Sequence, residues 1–240
     1  MTKKEIDLKG GVLVIGSLLW QDYLDKPGDD IRKNWRANSL SISNKIQVKM
    51  PIRYGRFSEK SQIYTMVFSN ACKRKSGTAF VVPFLSQIQS NKQLINEAEK
   101  LSEAEGMKKK FVAGDDVWSV LGILINPKHN GTKIKRNLVA LWSNLLNKDF
   151  DDKLFRIGKE KTCIKSNGVL NIPWPSIVDP HKSKELSSYD FIIATATKPT
   201  KYPSVTELAD CVNNDKIRYY FIETFKSGII TFQDLQVLSS

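Results

Sequence analysis

Three sets of residues in this chain of 240 have types and spacings suited to chemistry. The first is Glu105. Residues 87–110 carry a helical pattern, and at about 100° per residue Glu105 falls about 20° from Leu94, between Ala98 and Leu101 on the apolar stripe. Glu99 and Glu103 face the other way. A carboxylate on the inward face must be ion-paired, hydrogen-bonded or held in a cleft with a raised pKa, and the last is what a general base near neutral pH requires. The same spacing also fits a helix that ends near Gly106 with Glu105 frayed into solvent, or a Glu105 salt-bridged to an inward arginine.

The second set is Gly16-Ser17, where a buried strand gives way to a loop. Glycine there allows close backbone approach, so the N–H groups that follow could receive an anion or a polarised carbonyl. An ordinary turn has the same sequence. Ser17 lacks the G-x-S-x-G frame and has no evident histidine partner, which argues against a serine hydrolase. The third set is Arg53 and Arg56 around Gly55. Their guanidinium forks suit a carboxylate, and the short stretch lets both converge on one; two solvated arginines on an exposed turn fit equally. His129 and His181 have no Cys or His at ligand spacing, and Cys72, Cys163 and Cys211 form no C-x-x-C pair, so neither a metal site nor a disulfide framework is expected.

The elements that must position these groups are legible as patterns. Residues 11–20 (GVLVIGSLLW) read as a buried strand running into a loop, and 21–38 as a polar loop with one helical turn at most. Residues 45–52, 62–69 and 78–84 read as closely spaced strands, which implies an antiparallel or mixed sheet. After the helix at 87–110 come a strand at 117–125 and an amphipathic helix at 132–147 with Ile134, Leu138, Leu141 and Leu145 in one stripe. Residues 148–188 are loop-rich and 190–197 read as another buried strand. Ser204-x-x-Glu207 is a capping box, Gly228 a helix stop and Thr231 a cap. Strands and helices without strict alternation argue for the α+β class, and no linker divides residues 1–240 into two domains.

Composition narrows the function classes. Hydrophobic residues make up 41% and aromatics 10%, too apolar for a disordered chain despite 26% charge. No apolar run suits a membrane helix, and the stretch after the N-terminal lysines reads as a core strand rather than a signal peptide. With scattered cysteines, this makes the reducing cytoplasm the expected location. The 37 Lys+Arg against 25 Asp+Glu leave a net charge of +12. That charge fits a nucleic-acid partner, but the densest groups, Lys73-Arg74-Lys75 and Lys108-Lys109-Lys110, are short and do not alternate with aromatics, which favours a solvated basic surface.

The segments I-G-S-L-L-W (15–20), P-I-R-Y-G-R (51–56) with Y-T-M-V-F-S (64–69), and L-S-E-A-E (101–105) resemble the gamma-glutamyl cyclotransferase-like superfamily, more closely a bacterial branch of it. The resemblance implies a small mixed, barrel-like β-sheet flanked by helices over about residues 11–125. Residues 126–240, including D-F-I-I-A-T-A-T-K-P-T, would be a helical and loop extension proper to that branch. It implies a cofactor-independent enzyme that releases 5-oxoproline from a γ-glutamyl amine or peptide. Ile15, Gly16, Ser17 and Leu18 would line the loop whose backbone amides hold the glutamyl group, and Glu105 would act as general base and acid. Ile15 departs from the usual tyrosine and removes a hydroxyl. A substrate carboxylate at Arg53 or Arg56 is inferred from their chemistry and is no part of the resemblance. A catalytically silent ligand-binding domain of the same fold is the alternative.

Overall fold

A computed structural model describes residues 6–24, 26–59, 61–72, 75–113, 117–146, 150–215 and 217–239. Lys73 and Arg74 of the first basic group lie outside the described residues. The chain runs β1 (Gly10–Val14), α1 (Ile31–Ser39), β2 (Ile46–Met50), β3 (Ile52–Ser58), β4 (Ile63–Phe68), β5 (Gly77–Pro83), α2 (Asn91–Ala104), β6 (Ser119–Ile125), α3 (Lys133–Leu145), β7 (Ser176–Ile177), α4 (Ser183–Ser187), β8 (Phe191–Thr197), α5 (Val205–Asn213), α6 (Arg218–Lys226) and α7 (Phe232–Leu238). The fold is α+β.

Six strands form one mixed sheet in the order β6-β8-β1-β5-β2-β7, while β3 and β4 form a separate antiparallel pair. The sheet is open, with β6 and β7 as its edges, so the barrel-like closure expected from the resemblance is not found. Pro51 supplies part of the reason. It separates β2 from β3 and has no N–H to carry the ladder onward, so the chain leaves the sheet and folds back on itself as the β3–β4 pair. β2 then pairs directly with β5, from Ile46 opposite Val81 to Met50 opposite Gly77.

β8 runs parallel to β1 and antiparallel to β6, between the two. Residues from the second half of the chain thus fill the middle of the sheet rather than extend a core completed by residue 125. All of β1 and β6 and most of β8 are buried, as the unbroken apolar runs require. One hydrophobic cluster joins Leu8 to Ile229 and includes Ile192 and Ile193 of β8. Among the described residues no helix is long and apolar enough to cross a membrane.

The helices follow local rules. α2 starts at Ser90, whose side chain accepts from the Gln93 N–H, and buries Leu94, Ala98 and Leu101 completely. It ends in a Schellman motif: Gly106 N–H donates to Glu103 C=O at 2.9 Å and Met107 N–H to Ser102 C=O at 2.8 Å. Gly106 takes φ +81°, the left-handed value that such a stop demands. The capping boxes at Ser204/Glu207 and Thr231/Asp234 both form. α1 corrects the loop reading of residues 21–38. A nine-residue helix forms there because Trp35 and Arg32 are buried against neighbouring elements, a tertiary gain that local propensity does not carry.

A chain cut before β8, residues 1–182, strips β6 of its partner strand and leaves β1 paired with β5 alone. It is expected to lose the cooperative urea transition shown by the full chain. A sharp, two-state transition in that fragment would show that residues 1–182 suffice for a folded core without β8.

Candidate active site

A cavity of about 540 Å³ opens between the β1 loop, the end of α2, the β3–β4 pair and α6. That size is ordinary for a small-molecule site. Ile15, Gly16, Ser17 and Leu18 line it, as do Glu105 and Arg56. These six sequence-derived candidates therefore share one wall system.

Arg53 is elsewhere. Its guanidinium stacks 3.9 Å from the centre of the Tyr202 ring and 5.5 Å from that of Phe232. The β3–β4 register shifts between Tyr54 and Arg56, and this bulge re-aims the side chains on either side of it. Arg53 and Arg56 come to lie opposite Val67 and Thr65, on one face of the pair, yet their guanidinium groups go to different aromatic partners, so the expected convergence on one carboxylate is not found. Arg56 instead lies over Trp118, 5.3 Å from the ring centre, at the cavity. Tyr202 belongs to a separate cluster in which Glu160 binds Tyr202 Oη, Ser69 Oγ and the Ala71 N–H, pinning residues 157–160 to the end of β4.

Glu105 occupies the C-cap of α2, held by the Schellman turn, with 19% of its side chain exposed. Neither solvent fraying nor a close ion pair describes it. Arg32 Nη2 lies 3.9 Å from Glu105 Oε2, too far for a hydrogen bond. The guanidinium spends its other donors on structure: Nε donates to Ala104 C=O at 3.0 Å, and Nη1 to Gln21 Oε1 at 2.8 Å and Ser17 Oγ at 3.1 Å. Burial raises the Glu105 pKa above the usual carboxylate range, while the Arg32 charge and the nearby Thr195 hydroxyl pull the other way without cancelling it. Thr195 Oγ1 is itself buried and outside hydrogen-bond geometry of any partner among the described residues.

The loop is braced from behind. Arg36 Nη1 donates to Leu18 C=O and Gln21 C=O, both at 2.8 Å, and Nη2 pairs with Asp22. Ser17–Leu19 form a single 3₁₀ turn, so the Ser17 and Leu18 N–H groups have no acceptor within it. Gly16 is extended at φ −166°. A Cβ on it would meet Tyr220 Oη at 3.6 Å, so glycine here leaves space rather than relieving strain. The other basic group falls outside this wall system: Lys108 and Lys109 take φ of 53° and 61° in the turn after α2.

Four site residues escaped the sequence reading. Arg32 was hidden in a segment with Trp35 as its main apolar mark. Thr195 and Thr197 left a legible signal, since alternation puts both hydroxyl-bearing side chains on one face of an otherwise apolar strand. Tyr220, in R-Y-Y-F, left none. Among the described residues no group of three or more His, Cys, Asp or Glu side chains could hold a metal ion. Comparison of the chain with protein-family models, curated proteins and solved structures finds no match.

The raised Glu105 pKa fixes a sign. The folded protein holds this proton more tightly than the unfolded chain, so the stabilisation is complete below the unfolded value of about 4.3 and is lost as pH rises through the folded value. Urea unfolding of native protein and Glu105→Gln across that window should show native stability falling relative to the variant. A relative gain with rising pH would mean that Arg32 outweighs burial.

Proposed function

We propose that the cavity is the active site of a cyclotransferase-type enzyme that converts a γ-glutamyl amine or peptide to 5-oxoproline and a free amine, without a cofactor. One observation carries the reading: Glu105 stands at the cavity wall with a raised pKa, beside the Gly16–Leu18 loop. A carboxyl whose pKa burial has raised is a stronger base than an exposed one and can accept and return a proton.

In this reading the loop backbone amides of Ser17 and Leu18 hold the glutamyl group, and Ile15 walls its methylene chain. Glu105 takes a proton from the α-ammonium group. The freed amine attacks the γ-carbonyl carbon, forming the ring C–N bond and a tetrahedral oxyanion. Glu105 then returns that proton to the departing nitrogen as the oxyanion collapses and the original C–N bond breaks. The ring nitrogen gives up its second proton to the released amine, so the products are the neutral lactam and an ammonium ion and the carboxylate is regenerated. Holding amine and carbonyl in one cavity lets ring closure proceed without a bimolecular encounter. Arg56, over Trp118, faces the departing portion and suits a carboxylate there.

The test is 5-oxoproline release from a panel of γ-glutamyl amino acids, followed chromatographically. Glu105→Gln is expected to keep the fold and lose about 10²–10⁴-fold in turnover, the usual contribution of a positioned acid–base group. Equal turnover by the variant refutes the assignment. Binding of the panel without release by the native protein would make this a ligand-binding domain.

Gly16→Val supplies a second check. Its extended backbone accepts valine, so the unfolding midpoint should hardly move, while the new methyls occupy ligand space and abolish calorimetric binding of 5-oxoproline. Unchanged affinity would reduce the loop to an ordinary turn.

A further inference from the structure

The cavity has a feature that the proposed proton transfers leave unused: a phenol facing the loop backbone. Tyr220 reaches the cavity from α6, and its Oη lies 3.6 Å from where a Gly16 Cβ would stand. Tyr220 Oη thus stands on the cavity side of the loop, and a ligand oxygen seated beside it in the cavity would be within hydrogen-bond reach, since O–H···O bonds span about 2.5–3.0 Å.

The phenol is held firmly. Trp20, at the end of the same loop, donates from Nε1 to Thr224 Oγ1 at 3.3 Å, one helical turn beyond Tyr220. Its ring meets the Tyr219 and Tyr220 rings edge-on, at centroid distances of 5.5 and 6.0 Å. Phe221 packs edge-on against Tyr220 at 5.6 Å. These contacts tie the end of the loop to α6 beside Gly16.

The charges around Tyr220 keep its proton in place. Burial, and the carboxylates of Glu105 and Asp234, push its pKa up, and Arg32 and a hydrogen bond with the Thr224 hydroxyl only partly oppose them. The phenol therefore stays protonated and able to donate in neutral solution. An oriented, protonated donor beside unpaired backbone N–H groups is the arrangement that stabilises charge developing on a carbonyl oxygen.

We propose that Tyr220 is a catalytic residue of this site: its Oη–H donates a hydrogen bond to the γ-carbonyl oxygen as that oxygen becomes an oxyanion, opposite the loop amides. The proton stays on Tyr220 throughout, so no bond to the phenol forms or breaks. The inference rests on the cyclotransferase reading and adds a transition-state donor from the C-terminal part of the chain.

Tyr220→Phe removes the oxygen and keeps the ring that Trp20 and Phe221 hold. The variant should unfold within a degree or two of the native protein. Its kcat should fall about 10²–10³-fold, the usual cost of one oxyanion donor, with KM changed less than threefold. Tyr220→Leu, lacking the ring, should lose stability as well as kcat, separating packing from chemistry. A Tyr220→Phe enzyme with native kcat, or one in which KM alone rises, overturns the inference while leaving the Glu105 reading intact. A native protein that releases no 5-oxoproline from the panel overturns the reading and this inference together.

Discussion

Arg32 is the contact on which the site depends. Its guanidinium joins three segments that have no sequence proximity: the Ser17–Gln21 loop, α1 and the last turn of α2. A buried guanidinium must have its donors satisfied, and each charge-assisted hydrogen bond contributes roughly 1.5–3 kcal/mol. With Nε and Nη1 committed to Ala104, Gln21 and Ser17, only Nη2 is turned toward Glu105, at 3.9 Å. The same side chain therefore builds the cavity corner and supplies a positive charge near the carboxyl. That charge is weak enough to leave the Glu105 pKa raised.

The electrostatics of Glu105 are a balance between burial and two nearby groups, Arg32 and Thr195. Close bidentate pairing with Arg32 would favour the ionised form and remove the carboxyl from acid–base work at neutral pH. The Schellman turn at Gly106 fixes the backbone on which Glu105 sits, 3.9 Å from Arg32 at the side-chain tips. Local helix-stop chemistry and long-range ion pairing are thus coupled at one residue.

The C-terminal part of the chain is integral to both fold and site. β8 brings Thr195 and Thr197 to the cavity floor from the middle of the sheet, and α6 brings Tyr220 to the loop. α7 is tied back to β3, where Tyr54 N–H donates to Gln233 Oε1 at 2.8 Å and Tyr54 Oη to Asp234 Oδ1 at 2.9 Å. These ties span about 180 residues of chain, and hold α5–α7 against the strand pair that carries Arg56.

What the amino-acid sequence determined alone is local. The stripe of Leu94, Ala98 and Leu101 follows from the 3.6-residue period, and that period carries Glu105 to the same face. Capping at Ser204 and Thr231 depends on side chains reaching only three residues, and the apolar runs of β1, β6 and β8 reveal burial without naming a neighbour. Pairing order was decided elsewhere, because a strand's apolar face does not specify which strand lies beside it. β8 entered the sheet between β1 and β6, and the β3–β4 pair separated at Pro51. Packing against other elements, not strand alternation, sent Arg53 to Tyr202 and Arg56 to the cavity, although the two arginines are three residues apart. Arg32 and Tyr220 became site residues only through contacts with distant segments, Arg32 across α1 and α2 and Tyr220 through Trp20. Periodicity assigns a face within an element, but only packing between elements decides what that face meets.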